Sequence, residues 1–117
     1  MDNIAERTAR ETELLLRAQQ GDYEAFEALY QALEPSVRRF VRRLIGAHEL
    51  EDDLLQVIFL ALFQHIKRID PPEHLRPYVY RMARNRCYDE LRRQGRYKPL
   101  SMDDEAVEVV VSFAGAS

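Results

Sequence analysis

Apolar residues recur along this chain at steps of three and four, the spacing that lines one face of an α-helix. Leu14, Leu15 and Ala18 mark a first helix from about Ala9 to Gln20, which Gly21 ends. Asp22 is placed to cap a second helix, Tyr23 to Leu33, whose inward stripe is Phe26, Leu29, Tyr30 and Leu33. Pro35 has no backbone N–H, so the pattern predicts a kink or restart there. The continuation, Ser36 to Ile45, buries Val37, Phe40, Val41, Leu44 and Ile45 and turns Arg38, Arg39, Arg42 and Arg43 mainly outward; Gly46 closes it. A third helix, about Glu49 to Arg68, carries the core stripe Leu54, Leu55, Ile58, Leu62, Ile66 and Ile69. Two adjacent prolines force a loop at Asp70-Pro71-Pro72-Glu73-His74, and a fourth helix opens near Leu75 or Pro77 and stops at Gly95. The expected fold is all-α, a compact helical bundle of about four helices in residues 1–98, with residues 99–117 an exposed linker or irregular tail. Within that tail, Val107-Glu108-Val109-Val110-Val111 has strand propensity but no visible partner.

The fourth helix has two unlike faces. Tyr80, Ala83, Cys87 and Leu91 form a stripe suited to a core. Opposite them, Tyr78, Arg81, Asn85, Tyr88 and Arg92 interleave cations, phenol rings and an amide. Guanidinium groups suit phosphates, an amide can read a base edge, and rings can stack on unpaired bases. Arg84, Arg93, Arg96 and Lys98 extend the set of candidate phosphate contacts. The plain alternative is an arginine-rich face turned to water.

Charge distribution sharpens this picture. The chain of 117 residues has a net charge of −3, yet residues 76–98 hold eight Lys and Arg against only Asp89 and Glu90. A confined basic patch on an acidic body points to an oriented contact made with a second partner, not to general coating of DNA. Cys87 is the single cysteine, so no internal disulfide can form, and no apolar run approaches the ~18 residues of a membrane span. The polar start Met1-Asp2-Asn3-Ile4-Ala5-Glu6-Arg7 is unlike a signal peptide. These features point to a soluble, cytoplasmic protein.

The third helix also has an outer face: Asp53, Gln56, Leu60, Phe63 and Gln64, flanked by Asp52 and Val57. Apolar side chains beside a carboxylate and an amide suit protein binding better than water, unless another part of the bundle covers them. Enzyme and metal chemistry have little to stand on. Neither His48, Glu49, Asp52 and Asp53 nor His65, His74 and Cys87 match a closed ligand pattern, and Cys87 lies on a core stripe without a base beside it. No cofactor is expected. The acidic run at Glu49, Glu51, Asp52 and Asp53 instead complements a helix N-terminus.

Three blocks appear in a telling order: Gly21-Asp22-Tyr23-Glu24-Ala25-Phe26-Glu27-Ala28-Leu29-Tyr30, Glu51-Asp52-Asp53-Leu54-Leu55-Gln56-Val57-Ile58-Phe59-Leu60 and Tyr78-Val79-Tyr80-Arg81-Met82-Ala83-Arg84-Asn85. Together with the Arg92-Arg93 pair, they resemble region 2 of bacterial RNA polymerase sigma factors of the extracytoplasmic-function group, over roughly residues 10–98. The resemblance implies a helical domain that docks on the clamp helices of the polymerase β′ subunit, then captures and helps melt the promoter −10 element. Polymerase contacts would fall on Asp52, Asp53, Gln56, Val57, Phe59, Leu60 and Phe63. A loop resembling the one that pockets an extruded base would hold Arg68, Ile69, Asp70, His74 and Leu75. DNA contacts would lie on Tyr78, Arg81, Arg84, Asn85, Tyr88, Arg92, Arg93, Arg96 and Lys98. An inhibitory anti-sigma factor is a further partner of such domains.

The chain departs from that pattern in places. Val57 stands where an acidic residue is usual, and Tyr78 replaces a common tryptophan. Two prolines stiffen the loop. No helix-turn-helix for a −35 element is present in the 117 residues, which leaves a shortened chain and a single-domain relative as alternatives. The rival reading is a helical interaction module that binds polymerase or an anti-sigma protein without directing initiation.

Overall fold

The computed structural model describes residues 3–46 and 48–95. Four α-helices account for most of them: α1 (Ile4–Gln19), α2 (Tyr23–Ile45), α3 (Glu51–Gln64) and α4 (Leu75–Arg93). The proposed tail 99–117, with its Val107–Val111 stretch, and the cations Arg96 and Lys98 lie outside the described residues.

The polar signals at the helix ends explain most boundaries. Helix α1 starts more than a turn before the predicted Ala9, because the Asn3 side chain accepts the Glu6 N–H at 2.7 Å and so caps an earlier turn. Asp22 caps α2 as expected, accepting the Ala25 N–H at 3.1 Å, and it also receives two hydrogen bonds from Arg17. Both interactions hold its carboxyl below the usual carboxylate range, the Ala25 N–H most strongly. Gly46 ends α2 with φ of 69°, in the left-handed region open to glycine, and donates its N–H to the Arg42 carbonyl at 2.9 Å.

Two predicted boundaries are corrected. Helix α2 does not restart at Pro35 but runs through it. Proline deprives only the Gln31 carbonyl of its N–H partner, and both residues lie on the exposed side, where that carbonyl is open to solvent. The third helix does not reach Arg68. It ends at Gln64, and a 3-10 turn over Ile66–Arg68 follows, which lets Ile66 and Ile69 both enter the core. Another 3-10 turn, Pro72–His74, leads into α4, whose third residue is the buried Pro77; an N–H is not needed there in the first turn.

Helix α2 is the central element and packs against α1, α3 and α4, while α3 and α4 also pack against each other. The core joins Leu15, Leu29, Leu33, Val37, Val41 and Ile45 to Ile58, Leu62, Val79, Ala83 and Cys87, all almost fully buried. An edge-to-face contact between Phe40 and Tyr80, ring centres 5.0 Å apart, ties α2 to α4. Burial in this apolar setting pushes the Cys87 thiol up to about 12, as befits a small core side chain.

Two ion-pair clusters brace the bundle. Arg76, at the start of α4, grips Glu11 of α1 in a bidentate pair at 3.0 and 2.8 Å, and both side chains are largely buried. Burial opposes the Arg76 charge, but the Glu11 bonds more than offset it. The second cluster centres on Glu51, at the first residue of α3. Its buried carboxylate accepts from Arg42 at 2.8 and 2.9 Å and from Arg38 at 2.9 Å. Arg38 also pairs with Glu34 and with Asp52. Hydrogen bonds from Arg42 and then Arg38 hold the Glu51 carboxyl down to about 2. No helix among the described residues is long and apolar enough to cross a membrane.

Candidate protein and nucleic-acid interfaces

The outer side of α3 forms an apolar ridge with polar ends. Asp52, Asp53, Gln56, Val57, Leu60 and Phe63 are exposed, with Leu60 at 55% and Phe63 at 39%. Phe59 is the exception: it is buried at 4%, because its position turns it toward α2, where it meets the Tyr30 ring edge-on at 4.7 Å. It is chiefly a core support for the ridge, although it also lines the groove beside Leu60 and Phe63. Leu60 stays open, whereas Phe63 is partly covered by α2. Tyr23 stacks on Phe63 with ring centres 5.9 Å apart, and Phe26 meets it edge-on at 5.0 Å.

These α2 aromatics are functional candidates that the sequence reading left in the core stripe or out of the site. Tyr23 is 72% exposed, and Phe26 and Tyr30 line a groove with Leu55, Gln56, Leu60 and Phe63. Their spacing of three and four residues was the available signal, since it continues one helix face from the exposed end of α2 inward. Arg38 and Asp52 form the polar rim of the same groove.

The outer side of α4 has a different chemistry. Arg81, Asn85 and Arg92 are exposed along one face, while Tyr78, Arg84 and Tyr88 are half-buried. Tyr78 packs against the core and is only partly exposed. Arg93 is exposed on a neighbouring strip with Arg86. Toward the C-terminal end the cations meet carboxylates one turn back: Arg92 pairs with Asp89 at 3.1 Å and Arg93 with Glu90 at 2.6 Å. Among the described residues Arg81 forms no ion pair.

That loop differs from expectation in one respect. Arg68, Asp70 and His74 are exposed, but Ile69 and Leu75 are both 3% exposed. These two apolar side chains peg the loop into the core and are not available to line an open pocket. Among the described residues no group of three or more His, Cys, Asp or Glu stands ready to hold a metal ion.

Residues 29–97 match the sigma-70 region 2 family, and the chain belongs to it. This family serves transcription initiation and is not a family of enzymes. The chain is similar to the RNA polymerase sigma factor CarQ of Myxococcus xanthus, 33% identical over 78 residues. That alignment takes in 67% of this chain and 45% of the relative, so the chain spans less than half the length of that protein. No solved structure matches the chain.

Proposed function

We propose that this chain is the part of a sigma factor that docks on the clamp helices of RNA polymerase β′ and captures and helps melt the promoter −10 element. The docking surface is the α3 ridge, with Asp53 and Gln56 as polar contacts and Val57, Leu60 and Phe63 as apolar ones. The DNA surface is the α4 face together with the exposed loop residues Arg68, Asp70 and His74. What supports this reading is the pairing of two exposed ridges of opposite chemistry on one bundle, both inside the segment that matches the family.

The physics needs no reacting side chain. Taking a base out of the duplex costs a few kcal/mol. Stacking it on an aromatic or planar side chain returns ~1–3 kcal/mol, a role that Tyr78, Tyr88 or His74 would fill. Arg81, Arg84, Arg92 and Arg93 hold phosphates and set register, and Asn85 can read a base edge. Alone, the domain binds DNA weakly; attachment to polymerase raises the effective concentration of its DNA face. It acts in the cytoplasm, where polymerase works, and an anti-sigma factor that covers the α3 ridge would silence it.

Replacing Arg81, Asn85 and Arg92 together with alanine should abolish open-complex formation by the polymerase-bound protein while leaving its affinity for β′ intact. Retained open complexes would remove the α4 face from the mechanism and leave an interaction module that binds polymerase without directing initiation.

A further inference from the structure

The loop that faces the proposed extruded base is held from behind by α1. The Gln19 carboxamide nitrogen donates to the Ile66 carbonyl at 2.8 Å and to the Ile69 carbonyl at 2.9 Å. A carboxamide nitrogen has two hydrogens, and both are spent on this one turn of backbone. At the far end of the loop, Glu11 grips Arg76, the residue after the buried Leu75. The exposed span 70–74 is therefore a short bridge pinned at both ends by side chains from one helix. Its two prolines fix φ at successive positions, so the anchors leave little freedom between them. Gln19 and Glu11 both precede the segment 29–97 that carries the family match.

Resting on the reading above, the geometry points to Gln19 as a positioning residue for base selection in the −10 element. It fixes the loop backbone that faces the base and so sets which base is accepted, without touching DNA. Glu11 serves the same loop, but its pair with Arg76 also joins α1 to α4, so its removal harms the whole bundle. Gln19 acts on the loop through two carbonyls alone. That makes its role separable from stability.

The test uses the full chain bound to RNA polymerase core and a randomised library of single-stranded DNA. Bound sequences are read position by position, alongside affinity for core polymerase and the thermal unfolding temperature. Gln19→Glu keeps the shape of the side chain but replaces the donor with an acceptor, which then opposes two carbonyls. The expected result is a preference at one position reduced roughly tenfold, about the worth of one stacked base, with core affinity and salt dependence as in the unmodified chain. Gln19→Lys, whose ammonium group restores donors to the same carbonyls, should recover most of that preference. Undiminished preference in Gln19→Glu overturns the inference. So does a parallel fall in base preference, core affinity and unfolding temperature, which would mark Gln19 as a purely structural support. An unmodified chain with no preference at any position would instead sink the −10 reading itself, and this inference with it.

Discussion

The outer ridge of α3 and the outer face of α4 belong to one bundle but are built in opposite ways. The α3 ridge is shaped by contacts behind it: Phe59 is buried against Tyr30, Phe63 is flanked by Tyr23 and Phe26, and Asp52 is tied to Arg38. The α4 face is mostly side chains in water, with Arg81, Asn85 and Arg92 exposed and carboxylates only near its end. A fixed apolar surface suits a protein partner that must dock in one register. Long solvated cations suit a phosphate chain, whose contacts tolerate adjustment. The difference gives each surface its own signature under mutation, salt and acid.

The largest effect should come from a change that strikes both surfaces at once. Glu11→Ala leaves the Arg76 guanidinium buried without its partner, and loss of one member of a buried pair typically destabilises by about 3–5 kcal/mol. Denaturant unfolding should show that loss, and polymerase and DNA binding should fail together. Leu60→Asp should separate the surfaces. Placing a carboxylate where Leu60 is to be buried should weaken affinity for core polymerase roughly tenfold to hundredfold, the worth of one buried leucine at about 1.5–3 kcal/mol. Thermal stability should be unchanged, because Leu60 is already exposed.

Smaller still is the effect of Arg81→Ala. It should lower the slope of log affinity for single-stranded DNA against log salt by about 0.7, one phosphate contact, and leave polymerase binding untouched. The last prediction is read as the native chain is taken into acid. The Glu51 carboxyl sits at about 2 in the folded chain against an ordinary 4.5, so its stabilising contribution is fully present above about 4.5 and drains away as pH falls toward 2. Thermal melts from pH 7 to pH 2.5 should show this acid limb, and Glu51→Gln should flatten it while lowering stability at pH 7.

The two faces were not equally legible in the sequence. On α4, the stripe Tyr80, Ala83, Cys87 and Leu91 was separable from Arg81, Asn85 and Arg92 because the two sets differ in polarity at helical spacing. Helix α3 is apolar nearly all round, so its pattern could not tell the buried Phe59 from the exposed Leu60 beside it. Ile69 already had a place on the inward stripe of the third helix, but it and Leu75 were also assigned to the loop, where no periodicity marks an inward side. The pairs Glu11–Arg76 and Gln19–Ile66 join residues 65 and 47 positions apart. Periodicity reports which face a residue occupies, never which distant residue it will meet. Pro35 was read from its local chemistry alone as a kink or a restart, and the restart does not occur in a helix that packs against three others.

Arg38 bonds simultaneously to Glu34 on its own helix and to Glu51 and Asp52 across the gap. A cation bolted to both members of a helix pair prevents one from sliding along the other. On the proposed docking reading, a partner would meet a surface already braced, with less ordering entropy to lose on this side of the encounter.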